Sequence, residues 1–127
     1  MLAREKLVAF LATSNSAAAR AFFEGVLGLT FAGEHEHLVL FDSGPARLAL
    51  QKTDTVTPKF GTAMGWDVTD IRSVMRRLIE RGVTFERFEG MDQDDLGVWS
   101  PGGPATGVAW FKDPDGNLLS LSQSGAD

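Results

Sequence analysis

Trp110 to Gln123 reads WFKDPDGNLLSLSQ, two largely apolar runs hinged on a compact turn signal. Pro114 presets φ at the first central position of a tight reversal, and Gly116 or Asn117 can take the positive φ that closes it. The stretch is therefore read as two strands joined by a turn. On the arm before the turn, Trp110 and Phe111 point to opposite faces by strand alternation, so that if Phe111 faces a covering helix, Trp110 faces the other side. Asp113, Asp115 and Asn117 alternate as in a Ca²⁺ loop. An EF-hand, however, needs a longer loop ending in a bidentate acid, and LLSLSQ supplies none.

Upstream of this stretch, AMGWDVT reads as a strand and DIRSVMRRLIERG as a helix that Asp70 caps and Gly82 closes. VTFERFEG, LGVWS, GVAWF and LLSLSQ then read as short strands. Ile71, Val74, Met75, Leu78 and Ile79 form an apolar stripe at helical spacing, with Arg72, Arg76, Arg77 and Glu80 outside it. The same order occurs earlier in the chain. KLVAFLAT is a strand, a helix of about Ala17 to Leu27 follows behind a cap at Ser14, Asn15 or Ser16, and LTFAG, HEHLVLFD and ARLALQKT complete a βαβββ unit. Gly28-Leu29-Thr30-Phe31 matches Gly82-Val83-Thr84-Phe85, and Phe41 followed by LALQ parallels Phe111 followed by LSLSQ. A repeat of this kind constrains the whole architecture. The expectation is one domain, 1–127, with module one at 6–53 and module two at 62–123.

With FFEGVLGL after the first strand and helix, WFKDPDGNLLSLSQ at the end and the duplicated order, the chain resembles the vicinal oxygen chelate superfamily of glyoxalase, bleomycin-resistance and extradiol dioxygenase proteins. The resemblance covers Lys6 to Gln123. It implies an α+β fold in which two tandem βαβββ modules form a curved, mostly antiparallel sheet around a cavity. It also implies a metal held by a His or Gln on the first strand of each copy and a Glu near the end of each last strand. Here those positions carry Leu7 or Val8, Thr62 or Ala63, Ala49 and Ser120. None supplies a competent ligand, and Gln51, on the same strand face as Ala49, is one neutral amide. The reading is a protein without the family metal or any other cofactor, and no catalytic residue is assigned.

What the resemblance still implies is a cavity for a small organic ligand, expected to be lined by Ala49, Gln51, Asp67, Trp99, Trp110 and Ser120. Against this, tryptophans also simply fill cores. The alternative function is a superfamily enzyme, a glyoxalase-like lyase, an isomerase or a dioxygenase, with a relocated metal site or a metal-free mechanism. A third reading is a domain whose dimeric surface matters more than its cavity. A homodimer is expected.

Composition bounds these readings. A chain of 127 residues with 43% apolar and 23% charged residues is long enough to bury one sizeable core. No apolar run approaches the ~20 residues of a membrane helix, and MLAREKLVAFLATSN lacks the pattern of a secretory signal, so no membrane partner and a cytoplasmic location are expected. The formal charge of -5 argues against a nucleic-acid partner. The chain has no cysteine, which removes thiolate ligands and nucleophiles.

The only two histidines lie in GEHEHLVLFD, where His35 and His37 on a strand would share a face about 6.6 Å apart. Such a pair needs a third ligand to chelate, and LVLF offers none, so it reads as a charged strand that discourages sticky pairing. No G-x-S-x-G accompanies a histidine, which argues against a Ser-His-Asp triad. SPGGPATG lacks the Lys-Ser/Thr ending of a phosphate loop. Asp92, Asp94 and Asp95 read as a solvated acidic loop rather than a carboxylate pair, and the arginines of the second helix as its wet side.

Overall fold

The computed structural model, which describes residues 1–125, divides the chain into two units, Met1–Pro58 and a second beginning at Lys59. Each unit is built on the same pairing plan. In the first, β1 (Val8–Thr13), β2 (Thr30–Glu34), β3 (Leu38–Ser43) and β4 (Ala46–Lys52) form one sheet in the order β1-β4-β3-β2. β1 runs parallel to β4 and the remaining pairs are antiparallel.

Between β1 and β2, α1 (Ser16–Arg20) starts at Asn15, whose side chain accepts the Ala18 N–H at 3.0 Å. The spacing predicts one α-helix, but the chain widens into a π turn over Ala21–Val26, with the Leu27 N–H reaching the Phe22 carbonyl. Gly28 then takes φ 78° and ends it. Phe23 is fully buried against Phe41, with ring centroids 5.8 Å apart, and Leu11, Val39, Leu48 and Leu50 complete this core.

The histidine pair does not lie on a strand. β2 stops at Glu34 and β3 resumes at Leu38, so His35 to His37 form the hairpin loop, closed by the His35 N–H on the Leu38 carbonyl at 3.0 Å. Glu34-His35-Glu36-His37 offers no apolar side chain to bury, and pairing lapses where burial cannot reward it.

In the second unit, β5 (Met64–Asp67), β6 (Gly107–Lys112) and β7 (Leu118–Gln123) pair in the order β5-β7-β6, again with the first strand parallel to the last. α2 (Ile71–Glu80) is capped by Asp70, which accepts the Ser73 N–H, and is tied to β7 by Gln123, whose Oε1 accepts the Ile71 N–H at 2.8 Å. Ile71, Met75 and Leu78 are buried. Ile79 is exposed, contrary to the expected stripe, because it sits about 80° around the helix from Ile71 at 3.6 residues per turn. On the helix-facing side of the sheet Trp66 stacks on Phe111, and Phe85 meets Phe111 edge-on.

VTFERFEG and LGVWS are not regular strands. They pair with the sheet only through isolated bridges, Phe85 to Phe111 and Trp99 to Val108. Several of their backbone groups bond instead to the side chains of Gln93 and Asp94, which compete with a ladder.

The DPDGN turn folds as expected, with Gly116 at φ 87°. Asp113 Oδ1 accepts the Asp115 and Asn117 N–H groups, and Oδ2 accepts the Asn117 amide. Among the described residues no helix is long and apolar enough to cross a membrane.

Candidate functional site

Strand alternation sends Phe111, Leu119 and Leu121 toward α2 and leaves the opposite face of the second sheet without a helix. Cross-strand register places Trp110, Ser120 and Gly65 in one row of that face, and Val108, Ser122 and Asp67 in the next. Trp110 is half-buried and fixed on three sides. Its indole N–H donates to Thr62 Oγ1 at 3.0 Å, Phe88 meets it edge-on at 5.4 Å, and Trp99 lies tilted against it at 6.2 Å. Offset and edge-to-face geometries of this kind hold aromatic rings firmly while leaving part of each π face free.

Beside this cluster Gly65 has a specific reason to be glycine. A Cβ there would collide with the Ser120 hydroxyl and approach the Ser120 carbonyl oxygen at 2.6 Å. The missing side chain lets Ser120 Oγ lean across the β5 backbone next to the Trp110 ring. One row further, the exposed Asp67 carboxylate accepts from the Ser122 and Ser124 hydroxyls at 3.3 and 3.1 Å. The face thus combines an aromatic wall, a hydroxyl and a carboxylate held by neutral donors.

In the first unit the corresponding row is Phe10, Ala49 and Leu40, followed by Ala12, Gln51 and Leu38. Ala49 is buried, Gln51 is exposed, and Phe10 is 55% exposed. The row on the other side ends in charge. Asp42 accepts from Arg47 at 2.9 Å and lies 3.4 Å from Lys6, and the Arg47 guanidinium holds its carboxyl below the usual carboxylate range. This face is mostly apolar and carries no aromatic cluster.

Of the residues expected to line a pocket, Trp99, Trp110 and Ser120 gather at one place, with Asp67 on the same sheet face. Ala49 and Gln51 belong to the first unit and share its open face. Sequence reasoning did not single out Phe88, Gly65 or Ser122, and weighed Thr62 only as a metal position. Gly65 was the findable one, since strand pairing sets it beside Ser120 as Phe10 is set beside Ala49.

The residues at the family's metal positions do not fit a metal. Val8 and Ala49 share the first unit's open face, Ser120 lies on the second's, and none of these, nor Leu7, Thr62 or Ala63, offers a strong ligand. Among the described residues no group of three His, Asp or Glu side chains is placed to hold an ion. A concavity of about 310 Å³ is lined by Arg72, Arg76, Asp94, Asp95 and Leu96, away from the Trp110 face. It is charged and has no aromatic wall.

A βαβββ unit followed by a βαββ unit, each with its helix and its sheet, defines an α+β fold built on a repeated plan. The chain belongs to the Glyoxalase/Bleomycin resistance protein/Dioxygenase superfamily, whose sequence model matches residues 7–121. A glyoxalase family protein from Bacillus anthracis superposes with a TM-score of 0.73 at 16% identity, covering 94% of both chains. TnmS3, an antibiotic binding protein from Streptomyces sp. CB03234, superposes at 0.71 with 20% identity over 97% of this chain and 98% of its own. Lactoylglutathione lyase from Agrobacterium tumefaciens reaches 0.67 at 18% identity over 95% and 94%. These likenesses are likenesses of fold. No curated protein matches the sequence at a significant level.

Proposed function

We propose that the protein binds a small, planar organic molecule on the Trp110 face of the second unit and does so without a metal of the family type. The observation that carries this reading is the Trp110 cluster. Two aromatic rings, Phe88 and Trp99, are fixed against the Trp110 indole, whose N–H is already committed to Thr62, next to the Ser120 hydroxyl that Gly65 makes room for. Such a wall gains by stacking on a flat apolar ligand, while Ser120 and Asp67 orient its polar edge. TnmS3, whose fold this chain shares, binds an antibiotic, which is in keeping with that use of the fold.

A screen of planar aromatic compounds by thermal shift, followed by tryptophan-fluorescence titration, tests the reading. A ligand of the folded state must raise the apparent melting temperature. Trp110→Ala is expected to weaken binding about tenfold, the loss of one aromatic contact. If no planar compound shifts the wild type, or if turnover appears that depends on an added divalent metal, the proposal fails and the superfamily-enzyme reading replaces it.

A homodimer belongs to the same proposal. Val8 and Phe10, 40% and 55% exposed, share one face of β1 at the edge of its sheet, apolar surface that a second copy would cover. Light scattering at micromolar concentration decides it, and a monomer throughout would remove it.

A further inference from the structure

We propose that Gln93, Asp94, Arg72 and Arg87 are positioning residues that clasp the 85–99 loop and so set the aromatic geometry around Trp110. This inference rests on the reading of the Trp110 face as the binding site. Phe88 and Trp99, two of the three rings, both ride on this loop, and no regular strand holds it. It joins the sheet at its two ends, where the Glu86 N–H meets the Trp110 carbonyl at 2.7 Å and Trp99 exchanges two hydrogen bonds of 2.9 Å with Val108.

Between those ends short-range backbone bonds, among them the Asp94 N–H to the Val98 carbonyl at 2.9 Å, are joined by a set of side-chain bonds that ties the two arms together. Gln93 Oε1 accepts the Phe88 N–H at 2.8 Å, while its Nε2 donates to the Glu86 carbonyl at 3.1 Å and the Gly97 carbonyl at 2.8 Å. One amide therefore binds both arms of the loop, including the backbone of Phe88 itself. Asp94 Oδ1 accepts the N–H groups of Leu96, Gly97 and Val98 at 3.0, 3.1 and 2.9 Å. Those are the residues that lead into Trp99.

The opposite oxygen, Asp94 Oδ2, takes the Arg72 guanidinium at 3.1 and 2.6 Å, which anchors the loop to α2. Arg87 donates to the Asp94 and Asp95 carbonyls, both at 2.6 Å. A loop held by side-chain hydrogen bonds opens more readily than a strand and can be opened without unfolding the sheet. The clasp acts on the site through Phe88 and Trp99.

The test uses the full chain without ligand, so that it stands apart from the binding screen, which alone judges the binding reading. Near-ultraviolet circular dichroism reports the Trp99–Trp110 coupling, and hydrogen exchange reports the 85–99 amides. Gln93→Ala and Asp94→Ala are each expected to lose most of the tryptophan band and to speed exchange of the loop amides at least about tenfold, with far-ultraviolet signal and β7 protection unchanged. Arg72→Lys, which keeps a cation against Asp94, is expected to retain the band. An intact band in both alanine variants overturns the proposal. So does simultaneous loss of the near- and far-ultraviolet signals in both, because the clasp would then belong to the global fold. Should only Asp94→Ala unfold, Gln93→Ala decides.

Discussion

In the first unit, β2 lies along β3 and closes the sheet with a backbone ladder, broken only by a bulge between Phe31 and Gly33. In the second, the segment in the same place pairs with β6 only at the Phe111 and Val108 bridges, and between them side chains of Gln93, Asp94, Arg72 and Arg87 supplement its local backbone bonds. The consequence is functional. A ladder points alternate side chains at fixed intervals, whereas a side-chain-held loop can bring Phe88 and Trp99 to either side of one indole. The unit with the less regular edge is the one with the more elaborate open face.

The largest effect that tests this comparison is in the cores, which should be alike where the edges differ. Phe41 and Phe111 are both fully buried on the helix side of their sheets. Phe41→Ala and Phe111→Ala are each expected to cost about 3–5 kcal/mol by urea denaturation. A small cost at one and a large cost at the other would end the equivalence.

Next is the row that differs by exchange of size, Phe10 with Ala49 against Gly65 with Ser120. Gly65→Ala forces a Cβ onto Ser120 and is expected to destabilise by about 1–3 kcal/mol and to disturb the tryptophan spectrum. A neutral result would show that β5 is free to shift.

A third prediction sets Asp113 against Asp94. Asp113→Ala strips three acceptor contacts from a buried turn and is expected to cost about 1–3 kcal/mol. The pH dependence runs in opposite directions for the two acids. Burial pushes the Asp113 carboxyl up, against its hydrogen bonds to Asn117 and Asp115. A raised folded value means that its titration favours folding below the ordinary aspartate range, and that this increment fades as pH rises through the folded value. At Asp94 partial burial also acts upward, but the Val98 N–H and Arg72 with the Leu96 N–H outweigh it and leave the carboxyl below its usual range. Its increment is present above the ordinary range and is lost as pH falls through the lowered value. Urea midpoints of wild type and the two alanine variants, taken from about pH 3 to about pH 7, should diverge toward acid for Asp113→Ala and converge toward acid for Asp94→Ala. Parallel curves would refute both assignments.

The smallest effect is expected at the hairpin loop. His35→Ala and His37→Ala should leave stability within about 0.5 kcal/mol and metal content unchanged, as exposed loop positions do. Loss of a stoichiometric metal on either substitution would reopen the question of a relocated site.

Much of the plan was legible in the chain. The capping residues Asn15 and Asp70 stand where the helices begin, the DPDGN turn closes on Gly116, and Trp110 and Phe111 do take opposite faces. These features depend on neighbours in sequence, and local stereochemistry decides them. The readings that failed depend on long-range competition. The alternation of HEHLVLFD predicts a strand, but pairing begins only at Leu38, and VTFERFEG reads as a strand although Gln93 takes its Phe88 N–H and Glu86 carbonyl instead.

For the candidate site, the choice of Trp99, Trp110 and Ser120 follows from periodicity and from the family resemblance, while Phe88, Thr62 and Gly65 enter through contacts with Trp110 and Ser120 from distant parts of the sequence. Residue type and spacing suffice for the repeated succession of strand, helix and sheet, the DPDGN turn and the lack of metal ligands at the family positions. Tertiary structure alone decided that one half of the duplication would carry a plain apolar face and the other an aromatic cluster clasped by Asp94 and Gln93. That choice turns on which buried or half-buried polar group reaches an N–H first, and only the folded chain brings the competitors within hydrogen-bonding distance.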